Sequence, residues 1–594
     1  MLDRLDEIEA LECLLVNFTY TRSVRGVQTF LPPLGLIAIA TTLDAAGISV
    51  GVIDTNGPQL TRLLRFIERT GVRVVGFYCN FDNRFRIGHF VRLCREHVDG
   101  LTCLVGGPQA TANPAQTLQQ TGCDYLFMGE ADQQILPLVR SLLDGQSDHE
   151  GLAGLCYERD GSMVHNGGKV LIDDLDVLPS LNFDLLILGE GDGSGQNLMT
   201  GRGCPYSCTF CFESLSGNRY RKRSVPRVIE DIQQLLDRGQ LKYLGICDDT
   251  FVADRERVYA FCDEVRRLRE AHDFIWFCEG RANTFSQHPD MLRRMVEAGL
   301  ARTQIGAETG NDDILRLYKK QITLGQIRDV VNQAEEYGLL SLFMNFMIGG
   351  PFETPETIQN TVDFACELIE TAPGRVDISG NFLIPYPETE IGRNPSQFGL
   401  ELLDPEVYAC YNEEYPVVKT VDMSKEAIFN AYQSFDLTVR KTMLGQLTRI
   451  PFPLMKQHFE FTRYGLLTAW YEVFGNIPHI YNYFTLYLDQ EMERLSGCRD
   501  VRDSLELVPL RTDFVRRLKG GVITLGLGDR VIRLNRMGTM LYELAAGKLN
   551  IGTIATVVQE RLGGSTPPEA VLLDQIVDFY GSLERGYHVI FSRL

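Results

Sequence analysis

Residues 201–213 read GRGCPYSCTFCFE, and this stretch decides how the rest of the chain is interpreted. It contains Cys204, Cys208 and Cys211, with three and two residues between them. A loop of this spacing can direct three thiolates at one iron–sulfur cube and leave the fourth iron open to a ligand. Zinc is the competing metal, but a structural zinc site needs four ligands, and no second cysteine pair lies nearby. The spacing therefore favours a [4Fe–4S] site on these three thiols.

The same stretch resembles the signature of the radical S-adenosylmethionine (SAM) superfamily. The resemblance implies that the open iron binds the amino and carboxyl groups of SAM. It further implies that reductive cleavage of SAM gives methionine and a 5′-deoxyadenosyl radical, with Phe210 near the adenine. The electron would come from a donor protein such as a flavodoxin or ferredoxin.

Residues 196–400 alternate strand-like runs with helical patterns, beginning with the strand that leads into Cys204. The later runs are LKYLGICDD (241–249), FIWFCEG (274–280), TQIGAE (303–308), SLFMNFMIGG (341–350) and VDISGNFLIPYP (376–387). Six βα units are too few for a complete eight-stranded barrel, so we predict a partial (β/α)6 TIM barrel.

Four segments at the predicted strand ends also resemble radical SAM enzymes. These are CDDTF (247–251), FCEGRAN (277–283), GAETG (306–310) and MIGGPFET (347–354). The resemblance implies SAM contacts from Asp248, Asp249, Glu279, Arg281, Glu308, Gly349 and Gly350. Taken singly, each charged residue among them is equally compatible with a surface ion pair. The segment PYPETEI (385–391) departs from the family pattern, because Glu388 stands where glycine is common.

Residues 1–150 show a similar alternation. The runs CLLVNF (13–18), ISVGVID (48–54), VRVVGFY (72–78), TCLVGGP (102–108) and CDYLFMGE (123–130) predict short buried strands. Helical patterns separate them, which indicates an α/β fold with a doubly wound, Rossmann-like parallel sheet. Ligands of such sheets bind outside the carboxyl ends of the strands.

Two of these strand ends, VGGPQAT (105–111) and MGEAD (128–132), resemble loops of the cobalamin-binding domains that precede radical SAM barrels. With the other strand ends they give the candidate cobalamin residues Asp54, Cys79, Asn80, Gly106, Gly107, Gln109, Tyr125, Gly129 and Glu130. The sequence contains no Asp-x-His-x-x-Gly motif. We therefore expect no histidine below the cobalt, and residues 79–84 are the candidate loop for that face.

The chain is predicted to divide into a cobalamin domain (1–150), a linker (151–195), the barrel (196–400), an aromatic-rich helical segment (401–504) and a small C-terminal domain (505–594). The last resembles winged-helix-like, peptide-recognising domains of the PqqD type in RLNRMG, YELAAGKLNIGTIATVV and LLDQIVDFYGSLERGY. A structural cap that has lost its ligand is the equal alternative. We expect this segment to pack independently and to be dispensable for SAM and cobalamin binding.

Composition excludes several classes of protein. The 594 residues carry a net charge of −20, which argues against a protein that binds nucleic-acid backbones. The hydrophobic content of 44% argues against a mostly disordered chain. The sequence has no long apolar run of membrane-spanning length, and its first residues are acidic rather than basic. We therefore expect a cytoplasmic protein without a membrane partner, whose 15 cysteines are mostly reduced core residues.

The order of these parts resembles the cobalamin-dependent radical SAM enzymes, most of which are methyltransferases of natural-product and antibiotic biosynthesis. The resemblance implies that SAM is used twice, once to form methylcobalamin and once to form the radical. The methyl acceptor would be a carbon of an amino acid such as tryptophan, or of a peptide. A cobalamin-dependent radical SAM cyclase or rearrangement enzyme and a non-catalytic peptide-binding scaffold are the alternatives.

Overall fold

A computed structural model describes residues 2–18, 32–55, 59–146, 149, 151–189, 194–213, 217–239, 241–403, 415–490, 492–498, 501–512, 523–527, 530–563 and 567–593. The chain divides into two compact units, residues 1–438 and 439–594. The division falls within one long helix, Lys425–Gly445. No described helix has both the length and the apolar composition needed to cross a membrane.

The described N-terminal residues form a sheet of nine strands. Their bounds are β1 Leu2–Asp3, β2 Cys13–Phe18, β3 Val50–Thr55, β4 Val74–Tyr78, β5 Thr102–Gly106, β6 Tyr125–Phe127, β7 Leu155–Arg159, β8 Ser162–His165 and β9 Leu186–Gly189. The spatial order is β1-β9-β3-β2-β4-β5-β6-β7-β8. Strands β9 to β6 in this order run parallel, and β2 to β6 have the flavodoxin-like order, whose switch point lies between β2 and β4.

Helices connect these strands and cover the sheet. They are α1 Leu34–Ala45, α2 Leu60–Thr70, α3 Arg84–His97, α4 Pro108–Ala112, α5 Pro114–Thr121 and α6 Ile135–Leu143. Strands β2 and β4 are buried along almost their whole length. This explains their near-continuous apolar sequences, because a parallel sheet has helices on both faces. The predicted doubly wound fold is confirmed.

The segment predicted as a linker, 151–195, differs from that expectation. Strands β7 and β8 form a hairpin that pairs antiparallel with β6, and β9 pairs parallel with β3. The segment therefore extends the N-terminal sheet at both edges. Its turn-rich sequence hid these strands, because β8 and β9 have only four residues each.

The predicted partial barrel is also confirmed. Its six parallel strands within the described residues are β10 Gly195–Leu198, β13 Tyr243–Ile246, β14 Ile275–Gly280, β15 Leu300–Glu308, β16 Ser341–Ile348 and β17 Val376–Phe382. A short antiparallel pair, β11 Gly201–Arg202 and β12 Arg221–Lys222, encloses the cysteine loop. The helices are α7 Val225–Asp237, α8 Arg255–Leu268, α9 Ala282–Gln287, α10 Pro289–Glu297, α11 Asp312–Leu317, α12 Leu324–Tyr337, α13 Pro355–Thr371 and α14 Glu390–Arg393.

The turn that follows the last barrel strand contains Glu388, the residue that stands where glycine is common in the family. This residue has φ +68°, a left-handed conformation that favours glycine. Its carboxylate pairs with Arg393 at 2.7 Å. The turn therefore has a backbone geometry that favours glycine, and an ion pair holds the larger side chain. A hairpin of β18 Leu400–Leu402 and β19 Val418–Thr420 precedes α15, Lys425–Gly445.

The second unit combines aromatic-rich helices with a small α/β part. Its helices are α16 Phe452–Thr462, α17 Ala469–Gly475, α18 Pro478–Asp489, α19 Val501–Ser504, α20 Arg536–Leu544, α21 Ile551–Leu562 and α22 Glu569–Arg585. The strands β20 Leu507–Arg511 and β23 Val589–Arg593 pair antiparallel, as do β21 Thr524–Leu527 and β22 Arg530–Arg533. Two strands followed by three helices are present from β21 to α22.

Contacts cross the boundary that we predicted at residue 505. Phe484 lies 5.4 Å from Tyr587 between ring centroids, and the Asn482 amide donates a hydrogen bond to the Thr512 carbonyl at 2.9 Å. Leu495 belongs to the same apolar core as residues of β20 to β23. The helices of 452–489 and residues 505–593 are therefore packed against each other. This packing favours the cap interpretation of the C-terminal segment, and its independence stays a prediction.

Candidate functional site

A large cavity lies within the first unit, where the carboxyl ends of the two parallel sheets contribute to one wall. It encloses about 1460 Å³, including its mouth to solvent. The first sheet supplies residues 76–78, 104–108, Phe127 and 129–132, and the barrel side supplies Met199, 201–203, Phe212, Glu213, Arg221, Cys247 and Asp249.

Glycines keep this cavity open on the side of the first sheet. A Cβ added at Gly106 would meet no described atom closer than 4.0 Å, and one added at Gly35 would meet none within 4 Å. Both residues line the cavity. Main chain can therefore approach a flat ligand closely at these points. This open wall fits a corrin ring.

Gly107 and Gly129 have a different role in the same wall. Gly107 has φ +111° and Gly129 has φ +84°, and an added Cβ would lie 2.6 Å from the Cys79 carbonyl or 2.2 Å from the Val170 carbonyl. Only glycine fits these turns. The two residues therefore shape the wall through their backbone.

The cysteine loop adjoins the cavity. Gly203, Phe212 and Glu213 line it, whereas the three thiols lie off its wall. The thiols are close enough to affect each other, since Cys208 raises the pKa of both Cys204 and Cys211. Burial is the larger effect, and it raises the pKa of Cys211 to about 12.

The donor set of this loop fits an iron–sulfur cube better than a single ion. Among the described residues, no three His, Cys, Asp or Glu side chains are grouped to hold one metal ion. None of the three thiols forms a disulfide within the described residues, and an Arg281 N–H points at the Cys208 sulfur at 3.8 Å. A cationic donor beside a ligand sulfur is typical of iron–sulfur sites, whose net charge and hydrogen bonds set the reduction potential.

Arg281 and Lys320 form the cationic side of the cysteine loop. The Arg281 guanidinium lies 3.6 Å from the centroid of the Tyr206 ring and donates a hydrogen bond to the Lys320 carbonyl. The Lys320 ammonium is buried and pairs with the Glu308 carboxylate. Burial lowers the pKa of Lys320, but the charges of Glu308 and Cys208 and the hydrogen bond to Glu308 together raise it more, so the pKa lies above its ordinary value. Lys320 therefore stays charged beside the thiols.

Two further predicted SAM residues lie near this cationic side. Glu308 has φ +66°, a backbone conformation that is unusual for a residue other than glycine and that often marks functional sites. Phe210 packs edge-to-face on Tyr318 at 5.0 Å, and its ring centroid is 5.6 Å from the Lys320 ammonium. The structure thus brings Phe210, Arg281 and Glu308 together around Lys320.

The neighbouring residues Asp248 and Asp249 have different environments. Thr200 donates its backbone N–H and its hydroxyl to Asp248 at 2.6 and 2.7 Å, and the Tyr220 hydroxyl donates at 3.1 Å. Arg257 adds an ion pair at 3.8 Å. Asp248 is thus engaged by protein groups and anchors the residues before the cysteine loop, and its contact with SAM stays a prediction.

Asp249 lines the cavity and accepts a hydrogen bond from the Gly203 N–H at 3.0 Å. Burial, with the nearby charges of Glu213 and Glu279, raises the pKa of Asp249 to about 7. Burial likewise raises the pKa of Glu279 to about 7. A carboxyl group of this pKa can exchange a proton at neutral pH.

Gly349 and Gly350 donate their backbone N–H groups to the Glu353 carboxylate at 2.5 and 2.9 Å. They bind an internal side chain, and they lie off the cavity wall. Glu353 is fully buried, and its second oxygen, Oε1, has no hydrogen-bond partner among the described residues. Burial raises its pKa from 4.5 to about 7.

We expect Glu353→Gln to flatten the pH dependence of stability. A carboxyl group whose pKa is higher in the folded state stabilises fully below its unfolded pKa and loses this contribution as the pH rises through about 7. Glutamine cannot ionise. As the pH rises from about 5 to about 8, the free energy of unfolding should therefore fall by up to about 3 kcal/mol less in the variant than in the parent protein. Urea unfolding of the apo-protein at both pH values measures this.

The matched control is Glu356→Gln, an exposed glutamate three residues further on. Its pH dependence should equal that of the parent protein. If the free energy of unfolding changes equally with pH in Glu353→Gln and in the parent protein, the raised pKa of Glu353 is contradicted.

Five predicted cobalamin residues lie off the cavity wall: Asp54, Cys79, Asn80, Gln109 and Tyr125. Tyr125 is the first residue of β6 and packs on Tyr157, so it lies at the opposite end of the strand from the ligand edge. Asp54 accepts a hydrogen bond from Asn17 at 2.9 Å. These two side chains serve the sheet.

The other three residues are engaged in the loops themselves. Cys79 is buried in the apolar core, and burial raises its pKa to about 12. Asn80 and Asn83 exchange hydrogen bonds between backbone and side chain at 3.1 and 3.2 Å, as a local turn requires. Gln109 is buried beside Gln116. Their assignment to cobalamin stays a prediction without support from their positions.

Residues 79–84, the candidate loop for the lower face of cobalt, contact the cysteine loop through Phe81. Phe81 packs on Phe212 at 5.4 Å and on Tyr386 at 4.9 Å. The position of the loop below cobalt stays a prediction. Tyr78, the last residue of β4, lines the cavity beside the switch point. No sequence feature singles it out, because it ends an apolar run.

Four charged residues that line the cavity complete its wall. Arg202 donates two hydrogen bonds to Asp132, both at 2.9 Å, and Arg221 donates two to Glu130 at 2.7 and 2.6 Å. Glu130 is a predicted cobalamin residue, and its carboxylate is engaged in this ion pair. Arg202 and Arg221 escaped prediction because their partners lie 70 and 91 positions away in the sequence.

Two family models match the chain. The radical SAM superfamily matches residues 198–365, and the B12 binding domain matches residues 24–137. An uncharacterized methyltransferase of Pyrococcus horikoshii is 31% identical over 377 residues, which are 62% of this chain and 79% of that protein. The PqqD-type interpretation of residues 505–594 lies outside both matched ranges and stays a prediction.

A more distant relative and a solved structure add to this. The anaerobic magnesium-protoporphyrin IX monomethyl ester cyclase of Rubrivivax gelatinosus is 23% identical over 345 residues, 56% of this chain and 62% of that protein's length. The radical SAM methyltransferase TsrM of Kitasatospora setae, solved with cobalamin and a [4Fe–4S] cluster, superposes with a TM-score of 0.62 at 17% identity. The match covers 81% of this chain and all of that one, and it shows a shared fold.

Proposed function

The chain belongs to the cobalamin-dependent radical SAM methyltransferases, and on this premise we propose that it methylates a carbon atom of a natural-product precursor. The acceptor would be an amino acid such as tryptophan, or a peptide. The enzyme's cofactors are a [4Fe–4S] cluster, SAM and cobalamin. The observation that carries the proposal is the single cavity shared by the strand ends of both sheets beside the cysteine loop.

In this proposal the bound cofactors supply a carbon-centred radical and a methyl group held on cobalt. Cys204, Cys208 and Cys211 hold the cluster. Arg281 and Lys320 keep positive charge beside the thiols, which favours the reduced, more negative cluster. The electron would come from a flavodoxin or ferredoxin.

The cavity wall would receive the corrin and the substrate. The open space at Gly35 and Gly106 lets a flat ring approach the main chain. Asp249 faces the same space, and its pKa of about 7 suits a group that takes a proton from the substrate at neutral pH. We propose Asp249 as the base that removes this proton when the reaction proceeds without hydrogen-atom abstraction.

Anaerobic incubation with trideuteromethyl-labelled SAM, a reductant and a cell extract tests the function. The expected product carries the mass of a trideuteromethyl group in place of one hydrogen, and S-adenosylhomocysteine accumulates with it. The Cys208→Ala protein in the same extract is the control, because it lacks a complete cluster site. Labelled product with this variant would contradict the proposal.

The similarity to the Rubrivivax gelatinosus cyclase favours cyclisation or rearrangement as the second candidate. Such an enzyme would convert a substrate without transferring the label and without forming S-adenosylhomocysteine. A third candidate, a non-catalytic peptide-binding scaffold, predicts a purified protein that is colourless and free of iron. The three outcomes are distinct in one set of measurements.

A further inference from the structure

The four charges in the cavity wall form one connected group, which we call the wall network: Glu130, Asp132, Arg202 and Arg221. The network contains two bidentate ion pairs, Arg202 with Asp132 and Arg221 with Glu130. Arg202 also lies 3.5 Å from Glu130, so the two pairs are joined. The side chains are at most 15% exposed. Main chain is included as well, because Ile172 donates its N–H to Glu130 and accepts a hydrogen bond from Arg221, both at 2.7 Å.

The wall network joins the parts of the molecule that flank the two cofactor sites. Glu130 and Asp132 follow β6 at the carboxyl edge of the first sheet. Arg202 ends β11, two residues before Cys204, and Arg221 begins β12 on the other side of the cysteine loop. Both ends of the loop that carries the three thiols are thus attached to the edge of the first sheet.

The energetics argue for a geometric role. Buried ion pairs lose about as much in desolvation as they gain in attraction, so apolar residues of similar size would give similar stability. Bidentate arginine–carboxylate pairs add orientation, because two parallel hydrogen bonds fix the plane of each group. Two such pairs joined through one carboxylate fix the cysteine loop in direction as well as in distance.

We propose that the wall network is a positioning clamp that fixes the cysteine loop against the edge of the cobalamin sheet and thereby sets the spacing of the two cofactors. Arg202, Arg221, Glu130 and Asp132 are positioning residues in this proposal. The statement about spacing rests on the proposed function, whereas the attachment of the loop can be tested without any cofactor.

The first experiment measures hydrogen exchange of the apo-protein in Asp132→Asn, which removes the carboxylate that Arg202 binds through two hydrogen bonds. The backbone amides of residues 201–213 should exchange about tenfold faster or more than in the parent protein, because the loop loses one anchor. The control is Glu335→Gln, which breaks the ion pair of Glu335 with the largely buried Arg375 elsewhere in the barrel. This substitution also removes one carboxylate from an arginine pair, and it should leave exchange of residues 201–213 unchanged relative to the rest of the barrel.

A conservative variant separates geometry from charge. Arg202→Lys keeps the positive charge but cannot form two parallel hydrogen bonds, so exchange of the loop should lie between that of the parent and that of Asp132→Asn. Equal exchange of residues 201–213 in the parent, Asp132→Asn and Arg202→Lys would overturn the clamp. Faster exchange in Glu335→Gln to the same extent would also overturn it, since it would show general destabilisation.

The second experiment uses the holoenzyme in the Co(II) state with the cluster reduced. The magnetic interaction between the two spins is measured by pulsed electron paramagnetic resonance. Asp132→Asn and Arg202→Lys should retain both cofactors and show a broader distribution of spin separations than the parent. An unchanged distribution would overturn the statement about spacing. A parent protein that transfers no methyl group, with exchange of residues 201–213 still increased in the variants as expected, would contradict the proposed function and support the clamp.

Discussion

Replacing Cys208 with alanine should leave the protein without a [4Fe–4S] cluster and without turnover. Cys208 is the buried, central member of the three thiols, and it is the sulfur that receives the Arg281 N–H. Two remaining thiols cannot hold a cube by three corners, so assembly itself fails. Iron and sulfide analysis after anaerobic reconstitution, with the visible absorbance of the cluster, measures the loss.

Cys262→Ala is the matched control for this variant. Cys262 is a buried thiol of α8 in the same barrel, and burial raises its pKa to about 12. The same chemical change there should cost a little packing and leave iron, sulfide and turnover intact. A Cys208→Ala protein with the iron and sulfide content of Cys262→Ala would refute the cluster assignment.

Leucine in place of Gly106 should remove cobalamin and leave the cluster. Gly106 is the last residue of β5, and an added side chain meets no described atom closer than 4.0 Å, so it enters the cavity without a backbone clash. The side chain then occupies space that the corrin needs. The amount of cobalamin bound per chain should therefore fall to near zero after gel filtration. Methyl transfer should stop, while iron and sulfide contents stay at the parent level.

The control for Gly106→Leu is Gly151→Leu. Gly151 is exposed, and a Cβ there would meet no described atom within 4 Å. The added apolar side chain is the same, but it lies outside the cavity wall. Full retention of cobalamin by Gly106→Leu would place the corrin elsewhere, and loss of cobalamin by both variants would mean a general effect of the added leucine.

Most of the architecture could be predicted from the sequence, because periodicity is a local property. The five N-terminal strands and the six barrel strands are each apolar runs bounded by turns, and helices lie between them. The four-residue strand β9 shows the limit. It lies in a turn-rich segment and carries too few alternations to be recognised, so the sequence predicts a linker there.

The site could be predicted only where one segment carries the chemistry. The three thiols lie within one loop, and the sequence identified them. The wall network joins residues 70 and 91 positions apart, and nothing in either segment reveals its partner. Asp248 and Asp249 are adjacent, but one is anchored by internal donors and the other faces the cavity. Such differences depend on the direction of each side chain.

The end of β9 also limits how the chain can be divided. Gly189 closes the first sheet and Gly195 opens the second, so only five residues join the two cofactor-bearing parts. Six peptide units reach about 20 Å when fully extended. This short connection therefore limits any large hinge motion between the two parts. A split enzyme made of two separately expressed halves should be cut within residues 190–194, since a cut at residue 150 would remove both edges from the first sheet.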